Sequence, residues 1–371
     1  GDVKIELYRN NNSTLVETII NQTENSGNYK WYISPEIQNY EDYTIKITSI
    51  NNPNTFAFSS YPFTIHSFSF EVFNSYNSNL PSNDIRLLKN EGNSIWLSCY
   101  DLGITKFDGS NFVTYNTANS NISRNWVSAI SIDGNGNKWI TSGWLQLDKF
   151  DDLNWTTYTK PELNYSRITI NDGIIWLGNS NIGGLATFNG TNWNTFNIPN
   201  TDRQQVHALD TDKYGNIWVG STSKTIFKYN GSAWTEYRLD DLGFSGTSHI
   251  EAIATDKNSG KVWAGGSAPG SPPNTGGELY YYNGSNWVAE YKPNNSEIPD
   301  FNITSLAVDD NSNVVVGLYK SGVCIFDGQN WTIFNMENSN LPSNNIRSTV
   351  VDDNDNIWVG TDNGLVKITK H

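Results

Sequence analysis

The sequence predicts an all-β protein, a seven-bladed β-propeller with four-stranded blades that is preceded by a small antiparallel β-sandwich. Three observations support this prediction. The 371 residues include 53 asparagines and 30 glycines, which favour short strands and tight turns over helices. A tryptophan-containing motif recurs every 37 to 52 residues, the period of a propeller blade. A second motif follows each of the first six copies, with Asn-Gly or Asp-Gly at its centre in five of them and Asp-Asp in FDDLNW at 150–155.

The first motif marks the second strand of each blade. A polar turn precedes the strand, and the strand pairs a tryptophan with aliphatic neighbours. The copies are IWLS at Trp96, KWIT at Trp139, IWLG at Trp176, IWVG at Trp218, VWAG at Trp263, VVVG at Val315 and IWVG at Trp358.

The second motif predicts a hairpin between the third and fourth strands, because Asn-Gly and Asp-Gly suit tight two-residue turns. Examples are FDGSNF at 107–112, FNGTNW at 188–193 and FDGQNW at 326–331. Each blade therefore consists of strand A, a turn, strand B with the tryptophan, a loop, strand C, a hairpin turn and strand D.

The chain ends after the third strand of the last copy, so the missing strand must come from elsewhere. Residues 70–85 match residues 331–346 closely, as FEVFNSYNSNLPSNDI and WTIFNMENSNLPSNNI. We therefore expect residues 68–79 to complete the last blade and close the ring, which removes open sheet edges. The predicted propeller domain spans residues 67–371.

Residues 1–66 lack the blade period. Their alternating apolar and polar residues, with Asn-rich turns between them, predict the small antiparallel sandwich, which forms an accessory domain. The pattern in Val3–Ile65 resembles the immunoglobulin-like module of the Kre9/Knh1 family, found in secreted proteins. That resemblance implies that the first strand of the module is missing here.

The blade pattern resembles the two-component regulator propeller family, most fully in LPSNNIRSTVVDDNDNIWVGTDNGLVKI at Leu341–Ile368. The resemblance implies an extracytoplasmic sensing propeller, of the kind that Bacteroidetes use to sense carbohydrates and other small ligands. This chain differs from the kinase-linked members because it has one ring, a sandwich in front, and no kinase or transmembrane segment.

The composition makes several classes of binding partner and cofactor unfavourable. A net charge of −14 disfavours nucleic acid, which binds through phosphate neutralisation by basic residues. No apolar run is long enough to span a membrane. Two distant cysteines exclude a disulfide-rich fold, and no Cys/His cluster suggests zinc. We expect a monomer that is secreted, periplasmic or attached to the cell surface.

Side chains that break the repeat are the candidates for function, since repeated ones are explained by packing. Trp126 and Trp144 both lie in blade two, in loops that open on the same face of a propeller. The predicted ligand-binding set is Trp126, Trp144, Tyr100, Asp101, Tyr165, Arg86 and Arg347. Aromatic faces beside amides and a carboxylate suit sugar rings. The alternative is that these rings only cap the blades against solvent.

A second candidate is the mouth of the central channel. The residues predicted to surround it are Arg86, Ser128, Ser166, His207, Glu251, Thr304 and Arg347. An arginine pair, Arg86 and Arg347, could hold a carboxylate or sulfate, and His207 with Glu251 could move a proton. These four would be the catalytic residues of a polysaccharide lyase or glycoside hydrolase. The alternative is an ordinary polar, water-filled channel.

Calcium is the one cofactor that the sequence leaves open. The turns with Asp133, and with Asp352, Asp353 and Asp355, place oxygen ligands at alternate positions, as calcium loops do. Ordinary hairpin turns are the favoured interpretation, because no glutamate closes either loop. Cys99 and Cys324 fall in separate blades and are predicted to be free, buried thiols. The insertion at 267–277 is either part of the rim or a tolerated excursion.

The favoured function is a non-catalytic, sensor-like propeller that binds carbohydrate on its top face. One alternative is the glycan-cleaving enzyme at the channel mouth. The other is a structural platform for another cell-surface protein.

Overall fold

The computed structural model describes the chain except for residues 30, 32, 34–36, 38–39, 66, 144, 161–163, 180–183, 200–204, 223, 243–248, 268–277, 292–295 and 300–301. Within the described residues the regular structure is β-strand, apart from one 3₁₀ turn at Asp240–Leu242. The all-β prediction is therefore confirmed. The chain divides into two compact units, one formed by 1–69 with 368–371 and the other by 70–367.

The N-terminal residues form one four-stranded sheet in the order β2-β1-β3-β4. Its strands are β1 (Asp2–Arg9), β2 (Thr14–Glu24), β3 (Thr44–Ser49) and β4 (Phe56–Phe58). Leu7, Ile37, Tyr43 and Ile65 form its buried core. The described part of this segment shows no second sheet, so the predicted sandwich stays a prediction.

Seven more four-stranded sheets follow along the chain, and we number them 1 to 7. Sheet 1 contains β6 (Ile85–Glu91), β7 (Ser94–Cys99), β8 (Ile104–Phe107) and β9 (Phe112–Tyr115). Sheet 2 contains β10 (Val127–Ile132), β11 (Lys138–Ser142), β12 (Gln146–Phe150) and β13 (Trp155–Thr159). Sheet 3 contains β14 (Tyr165–Asn171), β15 (Ile174–Asn179), β16 (Leu185–Phe188) and β17 (Trp193–Phe196).

Sheet 4 contains β18 (Val206–Thr211), β19 (Ile217–Ser221), β20 (Thr225–Tyr229) and β21 (Trp234–Arg238). Sheet 5 contains β22 (His249–Thr255), β23 (Val262–Ser267), β24 (Leu279–Tyr282) and β25 (Trp287–Tyr291). Sheet 6 contains β26 (Ile303–Val308), β27 (Val314–Leu318), β28 (Gly322–Phe326) and β29 (Trp331–Phe334). Sheet 7 contains β30 (Ile346–Val351), β31 (Ile357–Thr361), β32 (Gly364–Lys370) and β5 (Phe68–Phe73).

The order of sheet 7 is β30-β31-β32-β5, so Phe68–Phe73 supplies its outer strand as the sequence predicts. The first strands of the seven sheets contact one another in cyclic order, from β6 through β10, β14, β18, β22, β26 and β30 back to β6. At the junction of sheets 7 and 1, the Phe73 ring lies 4.9 Å from the ring of Phe107 and 6.1 Å from that of Trp358.

The motif tryptophans pack between neighbouring sheets. Trp96 of sheet 1 is fully buried with Ile140 and Phe150 of sheet 2, and Trp218 of sheet 4 is buried against sheet 5 in the same way. Most of the core is therefore made between sheets, where apolar area is removed from water.

Five of the seven motifs end in glycine, because a larger side chain would clash with the next sheet at this position. A Cβ on Gly265 would lie 2.4 Å from Cγ2 of Ile303, in the first strand of the next sheet. The same approach occurs at Gly178, Gly220, Gly317 and Gly360. The motif W-x-G thus combines a large side chain that fills the space between two sheets with an absent one that lets their strands meet.

Candidate functional site

Each first strand carries a break in its pairing register one residue after its first apolar residue. The residues at the breaks are Arg86, Ser128, Ser166, His207, Glu251, Thr304 and Arg347. A β-bulge leaves one residue outside the ladder and re-aims its side chain. These seven residues are the ones that the sequence analysis predicts around the channel. In the structure they share one feature, a position at the bulge of a first strand.

Between sheets 7 and 1, Asp84 lies next to both predicted arginines. Arg86 donates from Nε and Nη2 to Asp84 Oδ2 at 3.0 and 2.7 Å. Arg347 Nε lies 3.8 Å from Asp84 Oδ1. The structure therefore brings Arg86 and Arg347 together, with a carboxylate of the protein itself between them.

Three exposed side chains form what we call the aromatic row, which consists of Arg86, Tyr100 and Trp126. The Arg86 guanidinium lies 4.7 Å from the centre of the Tyr100 ring, and the Tyr100 and Trp126 rings are 5.9 Å apart. Tyr100 is 55% exposed and Trp126 is 44% exposed. Asp101 is exposed beside Tyr100, with a left-handed φ of 51° that turns the loop. The row offers aromatic faces, guanidinium donors and a carboxylate to solvent.

A buried carboxylate holds the loop before Trp126. Asp148 Oδ2 accepts hydrogen bonds from the backbone and hydroxyl of Ser123 at 3.0 and 2.8 Å. Asp148 is fully buried, and Thr157 donates to its other oxygen at 2.6 Å. The Trp126 carbonyl in turn accepts from Gly143 N at 2.7 Å. Trp126 thus projects from an anchored loop.

The sequence reasoning missed Asp148, although a signal was present. Five other sheets have a different residue at the same register position, namely Thr105, Ala186, Phe227, Tyr280 and Cys324. Asp148 is the only ionisable carboxylate in this group, and it lies in the sheet that carries Trp126. A strand-by-strand comparison of the repeats would have found it.

The prediction that Tyr165 belongs to the exposed ligand set is wrong. Tyr165 is 1% exposed and its ring stacks on Trp193 at 5.8 Å and 5°. Burial raises the pKa of its hydroxyl. Tyr165 occupies the position just before the bulge, where other sheets have Val127 or Ile303, so its ring packs between sheets 2 and 3. The predicted partner Trp144 and residues 268–277 of the insertion lie outside the described residues.

His207 of sheet 4 lies beside Glu251 of sheet 5, with His207 Nδ1 at 3.4 Å from Glu251 Oε2. The rings of His207 and His249 are 5.2 Å apart and tilted by 29°. Burial raises the pKa of Glu251, but the hydrogen bond from His207 and the nearby His207, Arg167 and His249 outweigh burial, so the net pKa lies below its usual value. Arg167 donates from Nη1 to the Ser166 carbonyl at 2.8 Å and from Nε to the His207 carbonyl.

The carboxylates suggested for calcium are used by the turns themselves. Asp133 accepts hydrogen bonds from the backbone of Asn135 and Asn137, the Asn137 amide and the Trp139 indole, at 2.8 to 3.1 Å. Asp352 makes the equivalent contacts to Asn354, Asn356 and Trp358 at 2.8 to 3.1 Å. This pattern explains the turns without a metal.

The other two calcium candidates contact neighbouring sheets. Asp353 accepts from the Asn90 amide at 3.3 Å, and Asp355 accepts from Asp310 N and the Asn311 amide at 3.0 Å. In the part of the chain that the structure describes, no three His, Cys, Asp or Glu side chains meet closely enough to hold a metal.

Cys99 and Cys324 are both buried, and neither forms a disulfide, as predicted. Burial raises the pKa of the Cys99 thiol to about 12, so this group is held as an unreactive thiol at neutral pH. None of the helical segments described is long and apolar enough to cross a membrane.

Two family models match parts of the chain. Residues 1–65 match the Kre9/KNH-like N-terminal Ig-like domain, and residues 340–363 match the two component regulator propeller. Both are the resemblances that the sequence motifs indicated. No curated protein matches the chain at a significant level.

Solved structures share the fold at low identity. The extracellular domain of a protein assigned to a hybrid two-component system of B. thetaiotaomicron superposes with a TM-score of 0.67 and 16% identity, over 93% of this chain and 48% of that one. PorZ, a surface component of the type-IX secretion system of Porphyromonas gingivalis, superposes with a TM-score of 0.61 and 17% identity. The match covers 87% of this chain and 51% of the PorZ chain.

A streptogramin B lyase gives a TM-score of 0.68 with 13% identity, over 82% of this chain and 98% of the lyase. The chain spans about half the length of the two-component and PorZ structures. These likenesses establish the fold: the second unit of the chain is a β-propeller, similar to the extracellular domains of two-component regulators.

Proposed function

We propose that this chain is an extracytoplasmic, non-catalytic ligand-binding protein, built as a closed seven-bladed propeller behind an immunoglobulin-like accessory domain. The cyclic contacts of the seven first strands and the pairing of β5 in sheet 7 support a ring of seven. The match of residues 1–65 to an Ig-like module supports a domain of residues 1–66, which leaves 67–371 for the propeller. Likeness to extracellular sensor domains supports the location.

We further propose that the ligand is a carbohydrate and that it binds on the aromatic row. The observation that carries this proposal is the contact of Tyr100 with Trp126, two rings that stay about half exposed, while every other tryptophan that the structure describes is buried or partly buried. Sugar C–H faces stack on such rings, while Arg86 and Asp101 can hydrogen-bond the hydroxyls. Because Asp148 anchors the loop, the Trp126 ring is held in place before a ligand arrives.

The variant Trp126→Asn tests this proposal. Asparagine precedes the first strand of sheets 6 and 7, at Asn302 and Asn345, so the loop should keep its fold. On an array of neutral and acidic glycans, the wild type should retain one class of oligosaccharide, and the variant should bind it at least tenfold more weakly, as expected for loss of an aromatic anchor.

The matched control is Tyr214→Asn, which removes another exposed aromatic ring from the turn between β18 and β19. This variant should bind like the wild type. Equal affinity of the wild type and Trp126→Asn for every retained glycan would contradict the proposed site, and no retained glycan at all would contradict carbohydrate binding.

A second candidate function is supported by the contact of His207 with Glu251. A carboxylate that orients an imidazole is the arrangement of a general base, and a lyase is among the proteins of this fold. The test is incubation with acidic and neutral polysaccharides, followed by assays for new reducing ends and for unsaturated products. Release of either product by the wild type and its loss in His207→Ser would favour the enzyme over the binding protein.

A further inference from the structure

We propose that the channel mouth contains a second subsite, formed by Ser166, Arg167, His207, His249 and Glu251, which hydrogen-bonds the hydroxyl groups of a neutral, hydroxyl-rich ligand. The inference rests on the proposed function, because this subsite would be the polar half of the same carbohydrate site. Its residues lie at the start of the first strands of sheets 3, 4 and 5.

The first argument is a difference between equivalent hydroxyls. Ser128 donates to the Tyr165 carbonyl of the next sheet at 3.0 Å, and Thr304 donates to the Ile346 carbonyl at 2.8 Å. Ser166 occupies the same bulge position in sheet 3, but its buried Oγ has no hydrogen-bond partner among the described residues. The hydroxyls at this position in sheets 2 and 6 are therefore used in hydrogen bonds to the next sheet. The Ser166 hydroxyl of sheet 3 is available to a ligand.

The second argument concerns the two imidazoles. His207 Nε2 and His249 Nδ1 are both buried, and neither has a hydrogen-bond partner within the described part of the chain. A buried polar atom without a partner destabilises a fold, and three such atoms lie on consecutive sheets. A ligand with several hydroxyl groups would satisfy all three.

The third argument defines what His207 offers. Its Nδ1 faces the Glu251 carboxylate at 3.4 Å, and since a carboxylate only accepts, Nδ1 carries the hydrogen in the neutral form of the ring. Nε2 is then a lone-pair acceptor for a hydroxyl donor. Arg167 balances the charge of Glu251, so the subsite is close to neutral and suits a neutral ligand better than an ion.

Protonation of His207 should weaken ligand binding at this subsite. The charged and titratable groups around His207 are Arg167 from β14 and His249 and Glu251 from β22. A proton on Nε2 removes the acceptor, and two charged imidazoles 5.2 Å apart would repel each other. We therefore expect ligand affinity to fall when acidification protonates these imidazoles.

The experiment uses the full chain labelled with ¹⁵N at histidine and tryptophan, and titrates it with neutral gluco-, manno- and xylo-oligosaccharides. At pH 7.5, His207 should show the Nδ1–H tautomer, and a bound sugar should shift both the Trp126 indole signal and the His207 and His249 signals. His207→Ser, which installs the residue of Ser128 and Ser166, should weaken binding at least fivefold and remove most of its pH dependence.

Two further variants complete the design. Trp126→Asn should weaken binding but keep its pH dependence, and Thr304→Ser, which retains the hydroxyl at sheet 6, should bind like the wild type. An Nε2–H tautomer of His207, or a sugar that shifts Trp126 while both histidine signals stay fixed, would overturn the subsite and leave the proposed function standing. Shifts at the histidines alone would refute the aromatic row and support the subsite, and no shift at either would refute both.

Discussion

At the scale of single residues, the recurring turn between the first and second strands depends on one aspartate. Asp133 uses both carboxylate oxygens to accept from four donor groups, including the Trp139 indole. Side-chain hydrogen bonds to a charged acceptor are among the stronger ones in proteins. The turn therefore fixes the orientation of the tryptophan that fills the space to the next sheet.

Replacing this aspartate should destabilise the fold in a pH-dependent way. Burial raises the pKa of Asp133, but the Trp139, Asn137 and Asn135 hydrogen bonds outweigh it and lower the net pKa. The carboxylate thus contributes its full stability above the unfolded pKa of about 3.9, and loses it as the pH falls through the folded pKa. We expect Asp133→Asn to cost about 1–3 kcal/mol in urea unfolding at pH 7, and the difference from wild type to shrink toward pH 3.

The control is Asp353→Asn in the equivalent turn of sheet 7. Asp353 is exposed and makes one contact of 3.3 Å, so its replacement should change stability by less than about 0.5 kcal/mol. A penalty for Asp133→Asn that is the same at pH 3 and pH 7 would show that the carboxylate charge is not responsible.

The residue types alone identified only part of the candidate site. Trp126 was found because it breaks the repeat and lies in a loop. Tyr165 was misplaced because its alignment with Val127 and Ile303, the buried residues before the bulge, shows only when strand registers are compared. The role of Asp148 depends on Ser123, 25 residues away, and no local pattern reports such a contact.

At the scale of the elements, the close approach of neighbouring strands is set by the motif glycine. In sheet 5, the Cβ of an alanine at position 265 would overlap the Ile303 side chain of sheet 6. We expect Gly265→Ala to destabilise the protein by about 1–3 kcal/mol, the usual cost of overpacking a core.

A double-mutant cycle identifies the cause. Ile303→Ala removes the atoms that clash, so Gly265→Ala with Ile303→Ala should be more stable than the sum of the two single changes predicts. Chemical denaturation of the four proteins measures this coupling. Strict additivity would mean that the glycine is needed for some reason other than contact with Ile303.

The strands themselves were largely predictable, since the tryptophan motif and the Asn-Gly turns locate second, third and fourth strands in nearly every sheet. The bulge was not predictable, because a one-residue shift in pairing requires no particular residue type: Arg86, Ser166 and Glu251 all occupy it and share no chemical character. The geometry at these positions therefore required the structure.

At the scale of the whole molecule, the last sheet takes its fourth strand from the start of the unit. Phe73 on that strand contacts Phe107 and Phe112 of sheet 1 and Trp358 of sheet 7. Phe73→Ala should therefore destabilise the protein, by less than the roughly 3–5 kcal/mol of a fully buried aromatic residue, because Phe73 is partly buried. Because the loss falls at the junction of the first and last sheets, we also expect the variant to bind a hydrophobic dye and aggregate earlier on heating.

Val113→Ala is the control, since Val113 is 47% exposed on the outer strand of sheet 1. It should unfold at nearly the wild-type denaturant concentration. If Phe73→Ala unfolds with the same midpoint as this control, β5 does not hold the first and last sheets together.

The register break at the start of every sheet also has an evolutionary consequence. The residue at each bulge lies outside the hydrogen-bonded ladder, so its replacement leaves the pairing of that sheet intact. The seven residues at these positions already differ widely in charge and size, from serine to arginine. Under the proposed function, single substitutions there would change the ligand while the ladder of each sheet stays paired, which makes these seven codons the natural targets for redirecting the protein to a new ligand.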